Sequence, residues 1–193
     1  LENTNWRGDA IVNRTGTYIA FDGLGEVDPA KSDFRYYATI QAWCVNKNIQ
    51  FSLTNSHEKT YSVRDGSLRS TLYTRIQQRL RASKNMLIIL TKDTRYTGSV
   101  LSYEIENAID KYDLPLIIAY PEYSSILNVD SLRDLWPKVL ADRINKASTE
   151  AIHIAFKKDC ILDAINRFTV NGEHLSGGKD YYTKEAYAQW GLI

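Results

Sequence analysis

The sequence predicts a three-layer α/β fold, with helices on both faces of a central five-stranded parallel sheet. Two observations carry that expectation. Short apolar, β-rich runs alternate with helical segments along most of the chain, which is the pattern of β-α-β units. The third run, "NMLIIL", is apolar throughout, as strands covered on both faces are. A flavodoxin-like strand order, 2-1-3-4-5, is the simplest solution. It places ligands beyond the carboxyl ends of strands one and three, at the topological switch point.

The elements follow in order. Thr17 to Phe21, "TYIAF", is β-branched and aromatic and ends in the turn signal Asp22-Gly23-Leu24-Gly25. A helix from Asp33 to about Lys47 sets Phe34, Tyr37, Gln41 and Cys44 on one stripe with Trp43 beside it. Ile49 to Leu53 is the second strand, and a polar loop runs from Thr54 to Gly66. Ser67 is a natural cap for a helix carrying Leu68, Leu72, Ile76 and Leu80 at fourfold spacing. Asn85 to Leu90 is the third strand. Ser99 opens the third helix, whose stripe is Leu101, Ile105, Ala108, Ile109 and Tyr112. Leu114 to Tyr120 is the fourth strand, with Pro115 tolerated near its start. A helix over Ser131 to Ile144 is interrupted by Pro137. Ala151 to Phe156 is the fifth strand, and Lys158 to Thr169 the closing helix. Residues 1–16 read as an N-terminal arm, anchored if at all through Trp6. Residues 17–170 form the domain, and 171–193 a Gly-rich loop and aromatic extension packed on it.

Composition narrows the function. The chain has 193 residues, enough for one domain. A net charge of +1 makes no electrostatic case for nucleic acid, and no apolar run approaches a membrane span. The first residues lack the pattern of a secretory signal. Cys44 and Cys160 are expected to be buried free thiols of a cytoplasmic protein. The three histidines are scattered, so a metal site is not expected. Arg69, Arg75, Arg79 and Arg81 form a basic helix side that reads as a solvated face.

The two predicted strand ends test individual chemistries. A phospho-receiver needs an Asp where Thr91 stands. A flavin phosphate loop is replaced by acidic Asp22-Gly23-Leu24-Gly25-Glu26, which would repel phosphate. No G-x-G-x-x-G opens a helix, and no nucleophile elbow occurs. What remains at the switch point is one carboxylate, Glu104, in the opening turns of the third helix. Glu106 lies about 200° away round that helix and reads as a surface charge. Asp22 is first a turn residue, though its place keeps it among the candidate ligand contacts.

The block "RYTGSVLSYE", the following "IENAI", the Asp33-Phe34-Arg35 helix opening and "KYDLPLIIAYPEY" resemble the Toll/interleukin-1 receptor (TIR) domain. Within that group they are more similar to the TIR-like family of bacterial defence proteins, which includes the NAD-processing subunit of Thoeris antiphage systems. The resemblance spans about Thr17 to Tyr123. Where TIR domains carry S-x-W-C-x-x-E-L, this chain has Val100 and Leu101 at the tryptophan and cysteine positions.

The resemblance implies that Glu104 is catalytic and that NAD is a substrate, with no further cofactor. One ionised carboxylate suffices for this reaction, because expelling nicotinamide from a pyridinium needs no acid and leaves an oxocarbenium-like ribose to stabilise. The helix dipole is expected to keep Glu104 ionised. Arg64, Arg95 and Thr91 are candidate pyrophosphate donors. Phe21, Tyr96 and Tyr103 are candidate aromatic faces for the nicotinamide or adenine. Asp22 and His57 complete the substrate-binding set, His57 lying in the loop that gates TIR active sites. The implied partners are NAD, further copies of the chain, and a separate effector reached through an ADP-ribose-derived product. Two other readings stay open: a TIR-like module that only assembles, and a nucleoside deoxyribosyltransferase-like enzyme. Trp136 and Trp190 read as core or interface residues.

Overall fold

The computed structural model describes residues 14–24, 32–44, 53–54, 67–94 and 99–193. Among the described residues, six strands form one sheet in the order β2-β1-β3-β4-β5-β6, every neighbouring pair parallel. They are β1 (Gly16–Ala20), β2 (Leu53–Thr54), β3 (Ser83–Ile89), β4 (Leu116–Tyr120), β5 (Ala151–Ala155) and β6 (Asp180–Tyr181). The helices are α1 (Phe34–Cys44), α2 (Ser67–Arg81), α3 (Ser99–Asp110), α4 (Lys138–Asn145), α5 (Lys158–Arg167) and α6 (Lys184–Gln189). A 3-10 helix over Val129–Leu135 precedes α4, and Pro137 separates them as the sequence requires.

The period-two alternation of buried strands sorts side chains onto two cores. Tyr18, Ala20, Met86, Ile88, Leu116, Ile118 and Tyr120 face α2, α3 and α4. Ile19, Leu87, Ile89, Ile117, Ile152 and Ile154 face α1 and α5. The stripe expected on α3 is buried at every position: Leu101, Ile105, Ala108, Ile109 and Tyr112. On α1 the fully buried residue is Ile40, with Tyr37, whereas Gln41 and Cys44 are half-buried. A helix face includes i+3 as well as i+4 neighbours, and the apolar Ile40 takes the inner place. Cys44 is therefore not a buried thiol, although Cys160 is.

The five strands expected stand in the expected order 2-1-3-4-5, and a two-residue sixth strand extends the sheet beside β5. β6 pairs with β5 through Ile152 opposite Asp180 and His153 opposite Tyr181. Two residues are too short to show a strand period, so the sequence reads there as loop. The segment is held by specific polar contacts. The Tyr187 hydroxyl accepts from the backbone N–H of Ile126 (3.1 Å) and of Ala155 (3.4 Å). His153, wholly buried on β5, lies 3.0 Å from the Gly178 carbonyl through Nε2 and 2.7 Å from the Tyr120 hydroxyl through Nδ1. A carbonyl only accepts, so Nε2 carries the proton and Nδ1 accepts from Tyr120. Trp136 Nε1 in turn donates to the Tyr120 oxygen at 2.9 Å, which satisfies all three buried groups and places Trp136 in the core. Trp190 is half-buried against Tyr182 and Tyr187.

A second buried polar group closes the sheet's other face. Asn85 opens the apolar run of β3, is fully buried, and donates to the carbonyls of Ile165 and Phe168 at 3.0 and 2.7 Å. It accepts from the Thr17 hydroxyl at 2.7 Å. Its amide thus ends α5 and ties that end to β1 and β3.

Burial lowers the His153 pKa to about 4, so the folded protein holds it neutral. The stability it contributes is complete above about pH 6.5 and is lost as pH falls through 4. Replacing it (His153→Phe) removes the acceptor for the Tyr120 hydroxyl proton and the donor to the Gly178 carbonyl. The expected cost in urea unfolding at pH 7 is about 2–3 kcal/mol. The gap between variant and wild type should narrow from pH 6.5 towards 4, and a pH-independent gap would contradict the neutral bridge.

Candidate active site

Beyond the carboxyl ends of β1 and β3, where the strand order reverses, the described residues place three carboxylates. Glu104 is on α3, Asp22 follows β1, and Asp33 opens α1. Each is put there by local sequence.

Glu104 belongs to the buried face of α3, since positions 101, 104, 105 and 108 share one side of a helix. Only 3% of it is exposed. Across the core it meets Tyr18 of β1, whose hydroxyl donates to Glu104 Oε1 at 2.6 Å. Tyr18 is itself fully buried, and its own pKa is raised well above the ordinary value, first by burial and then by the Glu104 charge. It therefore stays a neutral donor. Burial pushes the Glu104 pKa up to about 8, opposed by the Tyr18 hydrogen bond, raised further by the Asp22 charge, and lowered by Arg79 of α2. This corrects the expectation that the dipole keeps Glu104 ionised. Glu104 is the sixth residue of α3, and the dipole's effect fades beyond the first turn, so desolvation wins.

Asp33 was visible in the sequence only as part of a helix opening. Here it is 1% exposed, and its Oδ2 accepts from the hydroxyls of Thr91 and Thr94, each at 3.3 Å. Burial raises its pKa to about 6, with the two threonines opposing and Asp22 adding to the rise. Asp22, half-buried, accepts from the Leu24 backbone N–H at 2.7 Å, and Leu24 takes the left-handed φ of 53° that this tight turn imposes. The turn thus holds a carboxylate whose charge reaches both Asp33 and Glu104. A concentration of negative potential at one strand edge suits a cationic group or a developing positive charge.

The other expected contacts are distributed unevenly. Thr91 is at the site, but its hydroxyl bonds to Asp33 and its N–H donates to Thr94 Oγ1 at 2.9 Å, so it positions Asp33 instead of presenting donors to a pyrophosphate. Phe21 points to the opposite core, stacked on Tyr37 at 5.5 Å and edge-on to Phe34 at 6.0 Å. Tyr103 faces α2, stacked on Tyr73 at 4.2 Å, and its hydroxyl accepts from Gln77 Nε2 at 2.5 Å. One residue from Glu104 is a rotation of about 100°, which carries Tyr103 off the Glu104 face. Both aromatics pack on neighbouring rings. His57, Arg64, Arg95 and Tyr96 lie outside the described residues. Glu106 is exposed and faces Arg143 at 3.5 Å.

Tyr18 and Asp33 are the site residues that sequence reasoning missed. Tyr18 was legible in principle: alternation along "TYIAF" puts it on the face opposite Ile19, towards whichever helix covers β1 there. Among the described residues no group of three or more His, Cys, Asp or Glu is arranged to hold a metal ion. No helix among them is long and apolar enough to cross a membrane.

The family model for the Thoeris protein ThsB, TIR-like domain, matches residues 18–126, more than half of the chain. The chain belongs to the ThsB TIR-like domain family. This is a family of Thoeris defence, and its matched segment begins at Tyr18 and contains Asp22, Asp33, Thr91 and Glu104. It ends at residue 126, before the 3-10 helix, so the His153 bridge and β6 lie outside the matched ThsB-like segment.

With its pKa raised, Glu104 stabilises the fold fully at pH below about 4 and progressively less as pH rises through 8. Gln at this position keeps the acceptor for Tyr18 and cannot ionise. Thermal melts of wild type and Glu104→Gln should coincide near pH 4 and diverge in favour of the variant, by roughly 3 kcal/mol at pH 7. A gap that stays constant with pH would show that Glu104 is not desolvated.

Proposed function

We propose that this TIR-like domain cleaves the N-glycosidic bond of NAD and that Glu104 stabilises the ribosyl cation. The observation that carries the reading is the Glu104 carboxyl, 3% exposed and held at 2.6 Å by Tyr18 beside the switch point of a ThsB-family sheet. In the proposed reaction the bond between ribose C1′ and the nicotinamide nitrogen breaks, and its electron pair neutralises the pyridinium. C1′ then accepts an oxygen or nitrogen nucleophile, which loses its proton. Water gives ADP-ribose; a hydroxyl or ring nitrogen gives a cyclic or conjugated nucleotide that can act on a separate effector.

The raised pKa becomes part of this mechanism. In the free protein Glu104 is mostly protonated at pH 7, while the nicotinamide of NAD carries a permanent positive charge. Binding brings that charge towards the carboxyl and favours its ionisation. The Tyr18 hydroxyl then donates a charge-assisted hydrogen bond and fixes the oxygen's position. Asp22, and Asp33 once ionised, add to the negative potential around the ribosyl cation. A desolvated carboxylate acts more strongly on that cation than a hydrated one would.

Chromatographic separation of NAD and its products tests the proposal. Glu104→Gln should lower turnover by at least about 100-fold. Since kcat/KM reports groups of the free enzyme, it should rise about tenfold between pH 7 and 9, as a group near 8 ionises. The Tyr18 hydrogen bond lowers the Glu104 pKa, so Tyr18→Phe should move this rise to higher pH. Turnover that survives Glu104→Gln would remove the residue from the mechanism.

A further inference from the structure

At the opposite end of the α2–α3 pair lies a cavity of about 440 Å³ with a distinct electrostatic character. Its wall includes Arg14, Arg81 and Lys111, together with Thr74, Gln77 and Gln78, over the ring of Tyr112. Three cations and, among the described residues, no carboxylate line it, although the whole chain carries a net charge of only +1. Lys111 directly follows the last residue of α3, seven residues and about 10 Å beyond Glu104.

The acids of α3 are turned away from this cavity. Asp110 and Glu106 both pair with Arg143 of α4, on the far side of the helix. Among the described residues, Arg14 and Lys111 bond to neutral groups. Lys111 Nζ donates to Gln77 Oε1 at 2.7 Å and sits 5.5 Å from the centre of the Tyr112 ring. Arg14 donates through one terminal nitrogen to the Tyr112 carbonyl at 2.9 Å, which anchors its guanidinium at the cavity wall and leaves its other N–H groups for a ligand. Arg81 is exposed at the end of α2. Cations at helix ends offset the macrodipole, which accounts for Arg81 on α2 and Lys111 after α3. It does not account for Arg14, brought to the same wall from the segment before β1.

We infer that this cavity binds a small multiply charged anion, with phosphate groups as the chemistry that fits. Arg14 and Arg81 offer planar forks for phosphate oxygens, Lys111 a point charge, and Gln78 and Thr74 further polar groups. Arg14 also walls a second cavity, of about 410 Å³, but Asp113 and Glu150 lie in that lining, so the anion is assigned to the first. The site is independent of the chemistry proposed at Glu104.

Pyrophosphate is the probe. Titrated into the isotope-labelled full chain, it should bind saturably and shift the backbone amides of residues 74–81 and 111–112, with affinity falling as salt is raised. The double substitution Arg81→Gln/Lys111→Gln, at exposed side chains, should weaken binding at least about tenfold. Lys111→Glu alone should do the same, and Glu104→Gln should leave the affinity unchanged. An absence of saturable binding would overturn the inference. So would affinity unaltered in both basic-site variants, or amide shifts confined to Asp22, Asp33 and Thr91.

Discussion

A parallel sheet buried on both faces leaves a polar side chain on its central strands two options: find a partner inside, or not be there. β1 and β3 are such strands, and the structure around them is organised by how their few polar groups are paired. Tyr18 spends its hydroxyl on Glu104, Thr17 on Asn85, and Asn85 on the end of α5. Each bond joins elements that no local sequence pattern brings together. The Tyr18–Glu104 bond has the largest electrostatic consequence, because it places a carboxyl in the core and exposes it to the full cost of desolvation.

That cost shapes the electrostatics of the whole strand edge. Asp33 and Glu104 both have raised pKa values, burial being the first cause in each, and Asp22 adds to both. Proteins seldom gather buried acids unless something positive completes them. The ThsB-like fold supplies the scaffold, and the cationic substrate we propose would supply the complement. Separation of charge along α3 follows the same logic. Glu104 faces the core, Glu106 and Asp110 face Arg143, and Lys111, just past the helix end, lines the basic cavity, so α3 and the turn after it meet three electrostatic environments.

Much of this was legible in residue order because long periodic segments report their buried face. The α3 stripe and the order 2-1-3-4-5 rest on such segments. Glu104 was found by its place at the switch point, yet its spacing from Leu101, Ile105 and Ala108 already put it on the buried face. That spacing foretells a raised pKa more directly than the distance from the helix start foretells a lowered one. Phe21 and Tyr103 look available in sequence because aromatics next to a site resemble ligand contacts. Their orientation is set instead by strand alternation and by the 100° step of the helix. β6 escapes notice because two residues have no period, and its position depends on pairing with β5 and on His153 holding Gly178 just before it.

By itself, the sequence determined the layered α/β architecture, and its order pointed to the ends of β1 and β3 as the candidate site, with Glu104 as the candidate carboxylate. These follow from hydrophobic period and chain order, which are local properties. Only the tertiary structure decided that Tyr18 holds Glu104, that Thr91 serves Asp33, and that Arg14, Arg81 and Lys111 share one cavity. Those are pairings between residues 30 to 97 positions apart, and burial, which sets the protonation of Glu104, exists only once the elements have packed.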